Sequence, residues 1–318
     1  MKKKTISALL LAFLVFAGGC NDKEKEENQE AYRQIGINRM EEGKYDEAVE
    51  AFQSALDQSL ARIGERELDI CYYKAEAQYL AGNVSDAQKT YTALIEYDKK
   101  DAKAYYLRGC MYLAEGRGQE AKEDFAAAVK YEKNDYELYI GIYGQLSAAG
   151  ESGEAAEYLE SALKISGKSA EDYLQRGRIY LLTGDNEKAK EALETALEKE
   201  NGEAKFYLGQ MYEAAGEDEK AQKMYESYAG DHTDDAKALI SLADISLRRG
   251  EYEKAVSYLK KAQETKEGEN SRRLQKKLIA ACEMAGNFAD AKREMERYIK
   301  DCPEDKKAER EYEFLKTR

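Results

Sequence analysis

Apolar and small residues recur along this chain at helical intervals. In one stretch Tyr105, Gly109 and Tyr112 mark a face, with Leu113 beside it. After Gly116, the positions Ala121, Phe125 and Ala128 mark a second face at i, i+4 and i+7. Two helices joined by a turn are predicted. The figure then repeats. A glycine followed five residues later by an alanine occurs eight times, at Gly43/Ala48, Gly82/Ala87, Gly116/Ala121, Gly150/Ala155, Gly184/Ala189, Gly216/Ala221, Gly250/Ala255 and Gly286/Ala291. Successive glycines lie 39, 34, 34, 34, 32, 34 and 36 residues apart. A lone helix pair cannot bury its apolar face, so this fixed period predicts a solenoid of stacked pairs. The glycine suits a left-handed residue closing the first helix. The small alanine lets neighbouring helices approach closely.

Composition sharpens the helical prediction. The 318 residues hold a single Pro, no Trp, and 25 Tyr against 7 Phe. With 36% charged residues and a formal net charge of −13, the chain should repel nucleic acid and anionic lipid headgroups. Nucleic acid is therefore not an expected partner. Acidic solvated helix faces also keep a long helical surface soluble, so the charge alone assigns no partner.

The repeat resembles the tetratricopeptide repeat, whose 34 positions run aromatic, Leu-Gly, Tyr, Ala, Phe, Ala and Pro. An early Gly stands at Gly36, Gly109, Gly177 and Gly209, with Ala75 and Ala243 as small substitutes. The Phe position holds Phe52, Tyr91, Phe125, Leu159, Leu193, Tyr225, Leu259 and Met295. The last Ala appears as Ala55, Ala128, Ala162, Ala196 and Ala262, and Pro303 falls on the family's Pro position. Tyr143 and Ile279 depart from the early Gly, and Leu94, Tyr228 and Tyr298 from the last Ala, which predicts looser or shifted packing there. The resemblance implies an all-α, right-handed superhelical solenoid of about eight repeats over residues 31–302. Residues 303–318 then read as a terminal capping helix, with Ala308, Tyr312 and Leu315 at helical spacing. The long first interval places extra residues near Ser59–Glu65, in a longer second helix or a loop.

Residues 1–19 form a different region. Three lysines precede the apolar run Ile6 to Phe16 and the small residues Ala17-Gly18-Gly19, the pattern of an export signal. The following Cys20 resembles the lipidated cysteine of bacterial lipoproteins, although Ala17 stands where Leu is more typical. That resemblance implies cleavage before Cys20, a lipid on its sulfur, and anchorage to the cell membrane on the extracytoplasmic face. Residues 20–30 are polar and charged without apolar period and are expected as a short tether. Ten residues reach about 35 Å at most, which would hold the solenoid close above the membrane. The other cysteines, Cys71, Cys110, Cys282 and Cys302, fall out of step between helices. Bridging needs Cα atoms within about 7 Å, so buried free thiols are expected.

In this family the second, fifth, ninth and twelfth positions of each first helix face a concave groove. Transferred to this chain, they include Tyr72, Tyr79, Tyr106, Cys110, Ile140, Gly144, Leu174, Arg178, Leu181, Phe206 and Gln210. The groove is thus expected to be apolar and aromatic, with Arg178 and Gln210 as polar handles. Tyrosine suits such a surface, offering broad contact area with a hydrogen-bonding tip. Equally, the rings of Tyr72, Tyr79, Tyr106 and Phe206 could fill gaps between helices, and Tyr112, Tyr180 and Tyr212 are expected in the core. Some tetratricopeptide domains grip acidic C-termini with Lys and Asn, but the equivalent positions here carry Arg33 and Ile37, then Tyr72 and Glu76.

Catalysis finds little in this chain. The single His232 cannot supply a His relay or a His-rich metal site, and no phosphate-binding loop or nucleophile elbow occurs. No cofactor or metal is expected, and no enzyme activity. The resemblance instead implies an interaction scaffold that takes an extended segment or helix of a protein partner into its groove. The alternative is a solute-binding lipoprotein, for glycan or peptide, using the aromatic groove.

Overall fold

The computed structural model describes residues 22–59, 63–266, 268 and 271–318. The expected signal segment and Cys20 lie outside the described residues. Those residues form seventeen helices and no strand, in two compact units that divide after Ile165.

In the N-terminal unit the helices are α1 (Asp22–Glu41), α2 (Tyr45–Asp57), α3 (Glu65–Leu80), α4 (Val84–Tyr97), α5 (Ala102–Ala114), α6 (Gly118–Tyr131), α7 (Tyr136–Ala148) and α8 (Ser152–Ala162). The C-terminal unit has α9 (Ala170–Thr183), α10 (Asn186–Glu198), α11 (Ala204–Ala214), α12 (Asp218–Asp231), α13 (Lys237–Arg248), α14 (Tyr252–Gln263), α15 (Arg272–Met284), α16 (Phe288–Asp301) and α17 (Lys306–Leu315). Within each unit, odd and even helices pack as four successive pairs, and each second helix packs on the first helix of the next pair. First helices also touch one another, α1 with α3, α5 with α7, and α9 with α11. Each unit is therefore a helical solenoid whose first helices share a face.

The glycine–alanine period has a local cause at each end. All eight glycines adopt positive φ, between +70° and +87°, the left-handed region that costs an L side chain. The amide that follows each glycine reaches back five residues, as Arg117 N–H does to Tyr112 O at 2.8 Å and Asp185 N–H to Tyr180 O at 2.9 Å. Carbonyls orphaned at the helix end are thereby satisfied. The eight alanines have no exposed surface. At the early Gly positions the first helix lies against the ring or branched side chain of the second. A Cβ on Gly36, Gly109, Gly177 or Gly209 would come within 2.5 to 2.8 Å of Phe52, Phe125, Leu193 or Tyr225.

The departures fill space where looser packing was expected. Leu94, Tyr228 and Tyr298 are buried, and the hydroxyls of the two tyrosines donate to Asp235 at 2.5 Å and Asp305 at 3.0 Å. Ile279 is buried in the last core cluster, whereas Tyr143 is half-buried. Tyr112, Tyr180 and Tyr212, expected in the core, are half-buried, each beneath a cation: Arg117 at 4.2 Å, Lys188 at 5.6 Å and Lys220 at 5.2 Å. Their polar tips explain the difference, since a phenol resists full burial without a partner.

One boundary also differs from expectation. The segment expected as a tether is helical from Asp22, forming the first half of α1, where Gln29 donates to Glu67 on α3 at 2.9 Å. Helix α2 ends at Asp57 and α3 begins at Glu65, so the extra residues of the long first interval fall between the helices, the loop of the two expected alternatives. The four described cysteines are free thiols; Cys110 is half-buried and the other three buried. Helix α17 buries Ala308 and Leu315 against the last pair, and Tyr312 donates to Glu296 at 2.5 Å.

Candidate functional site

The first helices of the N-terminal unit place three stripes side by side. Tyr72, Glu76 and Tyr79 lie on α3, Tyr106, Cys110 and Leu113 on α5, and Gln145 and Ala148 on α7. Each stripe follows the i, i+3, i+4 rule that brings side chains to one helix face. Together they line a groove of about 670 Å³. Leu80, Tyr91, Lys103 and Met111 complete its walls. Tyr79 and Leu80 are the open part, 40% and 44% exposed.

Two of the tyrosines are braced. The Tyr72 hydroxyl donates to Asp101 Oδ1 at 2.5 Å, and the same carboxylate caps α5 by accepting the Ala104 N–H at 3.0 Å. The middle of one first helix is thus tied to the start of the next. Burial, and then this hydrogen bond to Asp101, hold the Tyr72 phenol protonated well above its ordinary range. The Lys103 ammonium sits 4.2 Å from the centre of the Tyr72 ring. Tyr106 packs at 6.0 Å on Phe125, and burial, then the neighbouring Cys110, push its hydroxyl up to about 12. Gly141 admits that hydroxyl to α7, because a Cβ there would lie 2.8 Å from it. Burial pushes the Cys110 thiol up to about 11, so this groove cysteine is a poor nucleophile. The groove can hold apolar and aromatic groups and orient one or two polar ones.

Not every expected groove residue reaches such a surface. Ile140 is half-buried on α7 and does not line the groove; Gly144 is exposed. In the C-terminal unit Leu174 and Phe206, 4% and 8% exposed, belong to the core. Leu174 packs with Leu193, Leu208 and Met211. Phe206 lies among Tyr207, Tyr225 and Tyr228, with ring centres 5.5 to 5.6 Å away. Neither has a polar tip to hold it at the surface. Leu181 is half-buried against the Leu174 cluster, and Gln210 is exposed. Arg178 turns onto Gln175 Oε1 at 2.7 Å and lies 5.3 Å from the Tyr207 ring. Leu80, Gln145 and Gly141, which lie off the transferred register, and Lys103 were not among the expected groove residues.

Basic residues on the first helices are engaged within the fold. Arg33 bonds Asp69 at 2.6 Å, Lys276 bonds Asp305 at 2.8 Å, and Lys277 bonds Asp244 at 2.7 Å. His232 stacks on Tyr228 at 4.1 Å between ring centres, a packing contact at the end of α12. Among the described residues, no cluster of His, Cys, Asp or Glu could hold a metal ion, and no helix is long and apolar enough to cross a membrane.

Comparison with known proteins follows the same lines. The tetratricopeptide repeat family matches residues 39–109 and 146–203, 102–135, and 199–268. No curated protein sequence matches the chain. A tetratricopeptide repeat protein from Parabacteroides merdae is 16% identical, with 80% of this chain and 99% of that one covered and a TM-score of 0.52. PilW, a type IV pilus biogenesis factor, is 17% identical, with 65% and 98% covered and a TM-score of 0.42. At 16% identity the first likeness is one of fold.

Proposed function

The chain is built of tetratricopeptide repeats, and from that premise we propose that it is an extracytoplasmic lipoprotein scaffold, anchored to the cell membrane through Cys20. It binds a protein partner by taking an extended segment or helix into the groove of the N-terminal unit. The observation that carries the binding half is that groove, with Tyr72, Tyr79 and Tyr106 brought together and Tyr79 and Leu80 left open. Exposed apolar surface of this kind is costly to leave in water and marks interaction sites. The anchoring half rests on the basic start, the apolar run and Cys20. Two acyl chains or more would hold stably, at about 0.8 kcal/mol for each buried CH₂.

Two experiments test the halves separately. Cys20→Ser should release the protein from membranes, and unchanged membrane association would exclude the lipid anchor. A photo-crosslinking amino acid at Tyr79 should capture a discrete partner, and capture should fall when Leu80→Asp is added. Absence of any crosslinked protein, together with thermal stabilisation by an oligosaccharide, would favour the solute-binding alternative.

A further inference from the structure

The lining of the N-terminal groove has a chemistry narrower than apolar. Tyr72, Tyr79 and Tyr106 line it, with Tyr91 contributing to the wall at only 2% exposure, and aromatic faces attract cations. The lining carries two charges, Glu76 and Lys103. Lys103 is seated over the Tyr72 ring. Glu76, one turn along α3 from Tyr72, is exposed and, among the described residues, has neither a hydrogen bond nor an ion pair. The local field has the same sign. Behind burial, the hydrogen bond and charge of Asp101 raise the Tyr72 phenol, and the charge of Glu76 raises that of Tyr91. A carboxylate without a partner, set among ring faces, is complementary to a cation with an apolar stem.

We propose that the groove takes a segment of a partner protein carrying an arginine or lysine next to an apolar side chain. This rests on the groove being the binding surface. The cation pairs with Glu76 and lies against the Tyr79 and Tyr106 rings. The apolar neighbour packs on Leu80, Leu113 and Ala148. Arginine is the better fit, because its planar guanidinium can stack on a phenol while bonding a carboxylate in bidentate fashion.

Random peptides displayed on phage and selected against the full chain provide the test, with Leu80→Asp as the control for groove dependence. Groove-dependent peptides should be enriched in arginine or lysine beside leucine or an aromatic residue. Glu76→Gln should weaken them about tenfold, the value of one charge-assisted hydrogen bond. Glu76→Lys should shift selection towards acidic peptides. Groove-dependent peptides without a basic residue, or with affinity untouched by Glu76→Gln, would overturn the cation assignment while leaving the groove as a binding surface. Peptides indifferent to Leu80→Asp, or no peptides at all, would overturn both. Glu76 holds nothing in the fold, so its variants should melt like the parent chain.

Discussion

Gly109→Ala isolates the contact that sets the spacing within a helix pair. The added Cβ would lie 2.8 Å from Phe125 Cε1, 2.9 Å from Cδ1 and 3.2 Å from the Ala121 carbonyl oxygen. Comfortable carbon–carbon contact begins near 3.5 Å. Phe125 has no exposed surface and cannot swing aside. Overpacking of this kind costs about 1–3 kcal/mol. Against it, alanine gains about 1 kcal/mol over glycine inside a helix. The net is a destabilisation of roughly 1 kcal/mol. In a Phe125→Ala background the obstruction is gone, so the same change should stabilise by about 1 kcal/mol. The sign should therefore reverse across the cycle, with a coupling of about 2 kcal/mol. Urea denaturation followed by circular dichroism measures the four corners. Amide exchange in α5 and α6 localises the effect, because repeat stacks open in parts. An equal loss in both backgrounds would refute the contact. Ala75 and Ala243 occupy the same register opposite Tyr91 and Leu259, so the cost belongs to the local spacing and not to the position as such.

Four further outcomes follow from the same structure. Gly116→Ala places a side chain at φ +74° with nothing within 4 Å, so it should cost about 1 kcal/mol in urea denaturation from backbone conformation alone; no loss would remove the left-handed cap as the reason for the period. Asp124, buried, holds the half-buried Arg108 through two bonds of 2.7 and 2.8 Å. Asp124→Ala should cost about 3 kcal/mol, much of it recovered by Arg108→Met in the same chain, and a single-variant loss below about 1 kcal/mol would contradict this. Burial raises the Cys71, Cys110 and Cys282 thiols from 9.0 to about 11, so iodoacetamide should label them roughly a hundredfold more slowly in native than in denatured protein at mildly alkaline pH; equal rates would be incompatible with these thiols being inert. Burial, and then Glu311, raise the Glu283 carboxyl, whose Oε1 is buried without a hydrogen-bond partner. That contribution to stability is complete below the ordinary glutamate range and is lost as pH climbs through the raised value. Glu283→Gln should therefore raise the melting temperature near neutrality and flatten its decline from acid pH, and an identical pH profile in the variant would refute it.

The fold was legible because its determinants are local and repeated. A left-handed glycine, a buried alanine five residues on, and a small residue facing a large one each leave a mark at fixed spacing, and each has a visible physical cause. The binding face was legible only in part, and residues at one register position show why. Tyr72, Tyr106, Leu174 and Phe206 all stand at the fifth position of the transferred repeat register, yet the first two line a groove and the last two are core. The register fixes the direction of a side chain but not what the neighbouring helix offers it. Tyr72 has Asp101 to hold its hydroxyl, and Tyr106 has Gln145 and Cys110 beside its own, so each ring stays at the wall with its polar tip satisfied. Phe206 instead packs against the tilted rings of Tyr225 and Tyr228, whose hydroxyls find carboxylates at Glu213 and at Glu203 and Asp235. Leu174 meets Leu208 and Met211 in the same way. Groove and core at this position thus differ by one hydroxyl and the polar group available to receive it. Helical period carries little information about that pairing, because Asp101 and Gln145 lie outside the helices that carry Tyr72 and Tyr106.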